Sequence, residues 1–208
     1  MMKLLAAIQA GGRSARMGTD KAWLELAGRP LIKHVLAAAQ PLAGRLAMVI
    51  SRDNPASDKY AQLARQWRAA LLYDQHDHRG PLGGIHTSLQ HAQPDEKILV
   101  LACDLPFLTT EFLGLLQNLD QQETALSESH GLTTPVDEAG RVQMLAGIYS
   151  AICLPPVEQM LAENVLRLDR LCARVRTRRI AFAEYAHLTG AEKFLRNLNT
   201  PEDLIETG

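Results

Sequence analysis

The feature that most constrains this chain is a glycine-rich loop that follows a short apolar run near the amino terminus. Residues 4–8 are apolar and have the length of a buried strand. The glycines and cationic residues that come next are Gly11, Gly12, Arg13, Arg16, Gly18 and Lys21. Glycines let backbone N–H groups approach an anion without a Cβ in the way, and arginine and lysine donate to phosphate oxygens. The loop is therefore predicted to hold a polyphosphate.

The spacing of this loop excludes two familiar phosphate-binding patterns. In a Walker A loop the lysine follows its glycine directly, whereas two residues separate Gly18 from Lys21 here, and no Ser or Thr follows the lysine. The dinucleotide fingerprint G-x-G-x-x-G is also absent. A glycine-rich turn with solvated charges would explain any one of these residues, but the run as a whole favours phosphate binding.

Composition indicates one domain with a proper core and no general affinity for polyanions. The chain has 208 residues, of which 47% are hydrophobic, and 22 Lys and Arg face 23 Asp and Glu for a net charge of −1. This balance argues against a nucleic-acid binder or a membrane-surface binder. The three cysteines are far apart and lack C-x-x-C spacing, so reduced thiols in the cytoplasm are expected. No stretch approaches the ~20 apolar residues of a membrane helix, and the first apolar run is too short for a signal peptide.

Apolar runs of strand length alternate with helical periodicity in the first half of the chain. Strands are predicted at 46–50 and 69–73, and helices at 31–39 and 60–67. This order implies right-handed crossovers and an α/β fold, a three-layer, doubly wound and mostly parallel sheet of the Rossmann-like type. Ligands of such sheets bind at the carboxyl ends of the strands. Asp74 follows the third strand and should lie at that edge with the glycine loop.

Two further stretches point to the same edge. Residues 79–85 form a turn with three glycines and a proline, followed by a helix predicted to begin at Ile85. Its N–H groups could face an anion or a base edge, and an ordinary loop-to-helix junction is an equal alternative. Residues 97–103 read as a buried strand that runs into Asp104. A carboxylate there suits the Mg²⁺ that a nucleoside triphosphate needs, although it could simply cap the next segment.

The second half is less regular. Helices are predicted at 110–119 and 155–162 and strands at 125–129 and 142–149, with a hairpin or exposed loop at 130–140. An arginine-rich stretch at 167–179 with helical spacing is either a solvated helix face or a patch for an acceptor phosphate. Asn197 and Asn199 alternate on an extended segment, so they face the same way, before a helix capped by Thr200. The His76-Asp77-His78 pattern is interpreted as solvated and not as a metal site.

Four motifs along the chain together resemble one known family. They are G-G-x-S-x-R-M-G-x-D-K at 11–21, G-P-L-x-G at 80–84, A-C-D-x-P-x-L at 102–108 and N-x-N-T-P-E-D-L at 197–204. In this order and spacing they resemble the molybdenum cofactor (molybdopterin) guanylyltransferases of the nucleotidyltransferase superfamily. The resemblance implies a single nucleotidyltransferase domain spanning 1–208, with a nucleotide-binding half at about 1–108 and an acceptor-binding half at about 109–208.

The same resemblance implies an activity, a cofactor and partners. The protein would transfer GMP from GTP to the phosphate of molybdopterin or of its molybdenum-loaded form, giving the guanine dinucleotide cofactor and pyrophosphate. Mg²⁺ would be the cofactor, and other cofactor-biosynthesis proteins and recipient molybdoenzymes would be further partners. A cytoplasmic location, without nucleic acid or membrane, is expected.

The resemblance in these motifs also implies roles for individual residues of this sequence. Arg16, Lys21 and Asp104 would be catalytic, and Asp104 would hold the metal. The residues that would bind the nucleotide or the acceptor are Ala10, Gly11, Gly12, Gly18, Lys21, Asp74, Gly80, Pro81, Leu82, Gly83, Asn197 and Asn199. Of these, the two asparagines would line the acceptor side.

Two departures from the family pattern and three alternative functions stay open. Gln9 stands where the family usually has leucine, and residues 142–145 lack the proline-containing segment of the acceptor side. A molybdenum cofactor cytidylyltransferase using CTP would share the fold and chemistry. A sugar-phosphate nucleotidyltransferase would usually be longer. A non-catalytic cofactor carrier is disfavoured because Lys21 and Asp104 are both present.

Overall fold

The computed structural model describes residues 3–10, 20–76, 79–127, 130–198 and 203. Most of the predicted phosphate loop, including Gly11, Gly12, Arg16 and Gly18, lies outside the described residues. So do His78, Asn199, Thr200 and the carboxyl-terminal tail. The site is therefore described from Ala10, Lys21 and the later motifs.

A seven-stranded sheet forms the middle layer. The strands of the described residues are β1 (Lys3–Gln9), β2 (Glu25–Leu26), β3 (Arg29–Pro30), β4 (Arg45–Ile50), β5 (Ala70–Tyr73), β6 (Glu96–Ala102), β7 (His130–Pro135), β8 (Ala146–Tyr149) and β9 (Arg176–Ile180). The sheet has the order β5-β4-β1-β6-β8-β7-β9, and β2 and β3 form a separate hairpin. Only β8 is antiparallel to its neighbours in the sheet. The predicted mostly parallel α/β fold is confirmed.

Helices cover both faces of this sheet. Those of the described residues are α1 (Leu31–Ala39), α2 (Ser57–Trp67), α3 (Pro81–His91), α4 (Thr110–Leu126), α5 (Leu154–Ala162) and α6 (Phe182–Tyr185). Alternation along β1 separates two apolar cores, because Leu4, Ala6 and Ile8 pack with α1, α2 and α4. Leu5 and Ala7 pack with α3 and α5 on the other face. Within the described ranges, no helix combines the length and apolarity required to cross a bilayer.

The second half departs from the sequence prediction at β7. Helix α4 runs on to Leu126, so the predicted strand at 125–129 is wrong where it overlaps the helix. The segment predicted as a hairpin or exposed loop instead begins with β7, all six residues of which are buried. Strand β8 begins at Ala146, later than predicted, and Val142 makes only an isolated bridge to Val136.

Polar residues can occupy β7 because they belong to a buried network. Lys97 Nζ lies 2.6 Å from Asp120 Oδ2, and Thr133 Oγ1 donates to Asp120 Oδ1 at 2.8 Å. His130 Nε2 contacts Thr133 Oγ1 at 2.8 Å. Although burial opposes it, these hydrogen bonds and the Lys97 charge hold the pKa of Asp120 below its usual value. The hydroxyls of Thr133 and Thr134 and one ring nitrogen of His130 are hydrogen-bonded inside the protein, whereas His130 Nδ1 is buried without a partner among the described residues.

The arginine-rich stretch also differs from its prediction. It forms a short 3₁₀ segment, Leu168–Ala173, followed by β9, and is not one amphipathic helix. Three of its arginines pair with acids: Arg167 with Asp169, Arg174 with Glu163, and Arg178 with both Glu123 and Glu184. These pairs reduce the charge that the stretch could offer to an acceptor phosphate.

Candidate nucleotide-binding site

The carboxyl ends of β1, β5 and β6 bring the described part of the predicted site to one edge of the sheet. Gln9 at the end of β1 pairs with Ala102 at the end of β6 and with Val49 of β4. Tyr73 ends β5 beside Ile50. Because these strands are parallel, the residues that follow them, Ala10, Asp74 and Asp104, emerge at the same edge.

Asp104 and Asn197 come together although 93 residues separate them in the chain. Asn197 Nδ2 donates to Asp104 Oδ1 at 3.2 Å, and the backbone N–H of Leu198 donates to the Asp104 carbonyl at 2.9 Å. Burial raises the pKa of the Asp104 carboxyl, while the Lys21 charge and the Asn197 hydrogen bond oppose that rise. Three predicted site residues thus share one electrostatic environment, in which a half-buried carboxylate would be stabilised by a cation.

Lys21 is positioned by its neighbour Asp20. Lys21 opens the 3₁₀ turn Lys21–Trp23, and Asp20 caps it by accepting from the Ala22 N–H at 3.1 Å. The other carboxylate oxygen of Asp20 accepts from the hydroxyl of Tyr60 at 2.8 Å. Tyr60 is fully buried, and burial together with Cys103 and Asp20 raises its pKa, so it stays a protonated donor. Sequence reasoning did not assign Asp20, whose only signal was its place beside the lysine in the first motif.

Asp74 and the second glycine turn are in close contact. The Asp74 N–H continues the sheet by donating to the Ile50 carbonyl at 2.8 Å, and its Oδ1 accepts from the His76 N–H at 2.8 Å. A Cβ built on Gly83 would lie only 2.6 Å from Asp74 Oδ1. The Asp74 carboxylate therefore lies directly against the first turn of α3, where the helix dipole favours negative charge.

The turn itself follows from Gly80 and Pro81. Gly80 has a φ of 62° and a ψ of −153°, a conformation that L side chains rarely adopt. Pro81 then begins α3, four residues before the predicted start at Ile85, because proline fits the first helical position, where its missing N–H is not needed. The predicted contact residues Gly80, Pro81 and Gly83 thus form the helix start itself, and Leu82 is buried in the core below it.

Gln9 reaches the same turn. Assigning the amide orientation by its neighbours lets the oxygen accept from the Ile85 N–H at 2.9 Å and the nitrogen donate to the Pro81 carbonyl at 3.2 Å. Glutamine at this position, where the family usually has leucine, therefore contacts the first turn of α3.

Two histidines near the turn, His76 and His86, lie in contact with each other. His76 Nε2 and His86 Nδ1 lie 3.0 Å apart, and His86 Nε2 lies 3.5 Å from Glu158 Oε1. His76 is half-buried against His86 of α3 and so is not freely solvated as predicted, while Asp77 and His78 lie outside the described residues. Burial and the neighbouring His76 lower the pKa of His86. In the described part of the chain, no group of three or more His, Cys, Asp or Glu side chains is placed to hold a metal by itself.

A separate cavity of about 330 Å³ lies beside β5, between that strand and α3. Its lining includes Arg52, Tyr73, Thr87 and His91 but not Lys21 or Asp104. It is therefore distinct from the edge at which Asp104 and Asn197 meet.

Sequence relatives of the chain match it over nearly its whole length. Residues 6–186 match the family model of the MobA-like NTP transferase domain. A probable molybdenum cofactor guanylyltransferase of Carboxydothermus hydrogenoformans is 32% identical over 204 residues, covering 98% of this chain and 94% of that protein. One from Methanothermobacter thermautotrophicus is 34% identical over 200 residues, covering 95% of each.

Two solved structures share the fold at low sequence identity. Molybdopterin-guanine dinucleotide biosynthesis protein A from Archaeoglobus fulgidus superposes with a TM-score of 0.76 at 22% identity, covering 97% of this chain and 95% of that one. The 4-diphosphocytidyl-2C-methyl-D-erythritol synthase of Anaerococcus prevotii gives 0.68 at 14% identity, covering 98% and 95%. The family model and the two sequence relatives span nearly the whole chain, and these two structures have its sheet. The chain belongs to the MobA-like NTP transferase family and is a nucleotidyltransferase.

Proposed function

We propose that the protein transfers GMP from GTP to the phosphate of molybdopterin, or of its molybdenum-loaded form, releasing pyrophosphate. The observation that carries the proposal is the hydrogen bond between Asp104 and Asn197 at the carboxyl edge of the sheet, on a carboxyl that the Lys21 charge also stabilises. Relatives over nearly the full chain carry the name molybdenum cofactor guanylyltransferase, which supports this choice of nucleotide and acceptor. The product would be the guanine dinucleotide form of the cofactor.

The chemistry requires positioning and not a protein nucleophile. An oxygen of the acceptor phosphate attacks the α-phosphorus of GTP, and the bond from that phosphorus to the pyrophosphate oxygen breaks as the new one forms. Two anions must approach in line, so the protein has to hold both and offset their charge. Lys21 would hold the triphosphate with Arg16, while Ala10, Gly11, Gly12 and Gly18 would shape the loop around it.

The Asp104 environment fits Mg²⁺. This ion takes one or two carboxylates and completes its shell with water and substrate phosphates, so a cage of several acidic residues is not needed. When bound, it would neutralise charge on the triphosphate. Asp104 would hold it, and Asn197 would fix the carboxylate by its bond to Oδ1. Asn199 would line the acceptor side with Asn197.

The base would lie against the α3 turn. Guanine presents an N–H and an amino group side by side on one edge, and a carboxylate accepts from both, whereas cytosine offers only its amino group there. Asp74 is that carboxylate, held against Gly83. Gly80 and Pro81 would form the adjoining wall, and Leu82 would support them from the core. The two guanine donors that Asp74 accepts favour GTP over the CTP of the cytidylyltransferase alternative.

The proposal also covers the location of the reaction, the division of the domain and the fate of the product. We place the reaction in the cytoplasm, in a single domain whose nucleotide half is about 1–108 and whose acceptor half is about 109–208. The product would pass to recipient molybdoenzymes, with or without other cofactor-biosynthesis proteins.

The test is pyrophosphate release by the purified protein given molybdopterin and GTP, CTP or ATP. Release with GTP in Mg²⁺, lost on chelation, is the expected result. Asp104→Asn keeps the side-chain shape and the contact with Asn197 but removes the charge, and should abolish release. Full activity of Asp104→Asn would remove the metal assignment, and release with CTP alone would move the protein to the cytidylyl alternative.

A further inference from the structure

We propose that Gln9 is a positioning residue whose side chain fixes the first turn of α3 and so sets the affinity for the base. The inference rests on the proposed function, in which this turn meets guanine. It goes further because the Gln9 side chain would act on the protein backbone and not on the nucleotide.

Strand alternation directs Gln9 toward α3. Leu5 and Ala7 of β1 belong to the core cluster that also contains Leu82 and Ile85 of α3. Gln9 is the next residue of that register, so its side chain lies on the same face. An apolar residue would extend the cluster there, whereas an amide needs hydrogen-bonding partners.

The partners of the amide are one carbonyl and one N–H of the helix start. With the amide in the orientation that satisfies both groups, its oxygen accepts from the Ile85 N–H at 2.9 Å and its nitrogen donates to the Pro81 carbonyl at 3.2 Å. These groups are four residues apart, on successive levels of the first turn. The backbone of Gln9 is itself held, because its carbonyl accepts from the Cys103 N–H at 3.0 Å. The contact therefore ties the α3 turn to the centre of the sheet, beside Asp104.

Gly84 makes this contact possible. A Cβ built on Gly84 would lie 2.8–3.0 Å from the outer atoms of the Gln9 amide group, which are its three nearest neighbours. Gly83, one residue earlier, gives the same space to the Asp74 carboxylate. The turn is thus held from two sides, by Gln9 from the central strand and by Asp74 from the end of β5.

A double-mutant cycle on stability tests the contact without nucleotide. Gly84→Ala should lower the midpoint of thermal unfolding in the wild type because the new methyl group collides with Gln9. In a Gln9→Ala background it should raise the midpoint, because alanine is the better helix residue once the collision is gone. An equal change in both backgrounds would overturn the contact.

Nucleotide binding tests whether Gln9 sets the affinity for the base. For Gln9→Leu, Kd and KM for GTP in Mg²⁺ should rise about tenfold, the loss expected from two neutral hydrogen bonds, with kcat within about twofold. Gln90→Leu, the same change at the exposed last turn of α3, is the matched control and should match the wild type. Unchanged GTP affinity in Gln9→Leu, or a loss confined to kcat, would overturn the inference. If the wild type does not bind GTP, the proposed function fails, and the unfolding cycle still decides whether Gln9 holds the turn.

Discussion

Tyr60→Phe should lower both stability and activity. It removes one of the two hydrogen bonds that hold Asp20, the residue that caps the turn beginning at Lys21. The phenyl ring fits the same buried site, so the change removes one hydroxyl and its 2.8 Å hydrogen bond to Asp20 Oδ2. Oδ1 keeps its bond to the Ala22 N–H, so the 3₁₀ turn loses one of two anchors and not both.

The expected loss of unfolding free energy depends on the charge of the group that accepts from the tyrosine hydroxyl. A hydrogen bond to an ionised group contributes about 1.5–3 kcal/mol, against about 0.5–1.5 kcal/mol for a neutral one. Tyr185→Phe is the matched control, because Tyr185 is equally buried and its hydroxyl donates to the neutral Val136 carbonyl at 2.8 Å. The free energy of unfolding should therefore fall further in Tyr60→Phe than in Tyr185→Phe.

The activity should separate the two variants more sharply than stability does. Displacement of Lys21 removes a charge from its place on the triphosphate, so kcat/KM for GTP should fall about tenfold or more in Tyr60→Phe. Tyr185→Phe should stay within about twofold of wild type. Denaturant unfolding and steady-state pyrophosphate release measure both quantities. Equal stability losses with unchanged kcat/KM in Tyr60→Phe would refute the role given to Asp20.

Three further predictions follow from other contacts. Lys21→Ala should lose most turnover while its unfolding curve stays close to wild type, and an unchanged rate would remove the phosphate role of Lys21. Asp120→Asn should destabilise the protein by about 3 kcal/mol in denaturant unfolding at pH 7, because it leaves the largely buried Lys97 ammonium without its counter-charge. Because the folded pKa of Asp120 is depressed, its stabilisation is present above the unfolded pKa and disappears as the pH falls through the folded pKa, so the gap between wild type and Asp120→Asn should close in acid. Gly83→Ala should weaken GTP binding in calorimetry, because the new Cβ would meet the Asp74 carboxylate at 2.6 Å, whereas Gly114→Ala on α4, whose nearest neighbour would be 3.8 Å away, should bind normally.

The central fold could be predicted because local signals agree with tertiary structure there. β1, β4, β5 and β6 are short apolar runs separated by segments of helical period, and each lies close to its predicted position. The positions of Asp74 and Asp104 at one edge follow from the parallel direction of those strands.

The rest depends on contacts that periodicity does not encode. Strand β7 contains His130, Thr133 and Thr134, whose polar side chains predict solvent exposure, although both hydroxyls and one ring nitrogen of His130 are hydrogen-bonded inside the protein. The roles of Asp20 and Gln9 likewise require partners far away in the chain, at Tyr60 and at the α3 turn. In each case a long-range hydrogen bond overrides the local pattern.

The most direct test of the account follows the α-phosphate of GTP. The purified protein would be incubated with molybdopterin, Mg²⁺ and GTP labelled at the α-phosphate, and the products separated. The label should enter a guanine dinucleotide form of the cofactor, in equal amount to the pyrophosphate released. Release of pyrophosphate or phosphate with all label remaining in free GMP or GDP would contradict the transfer.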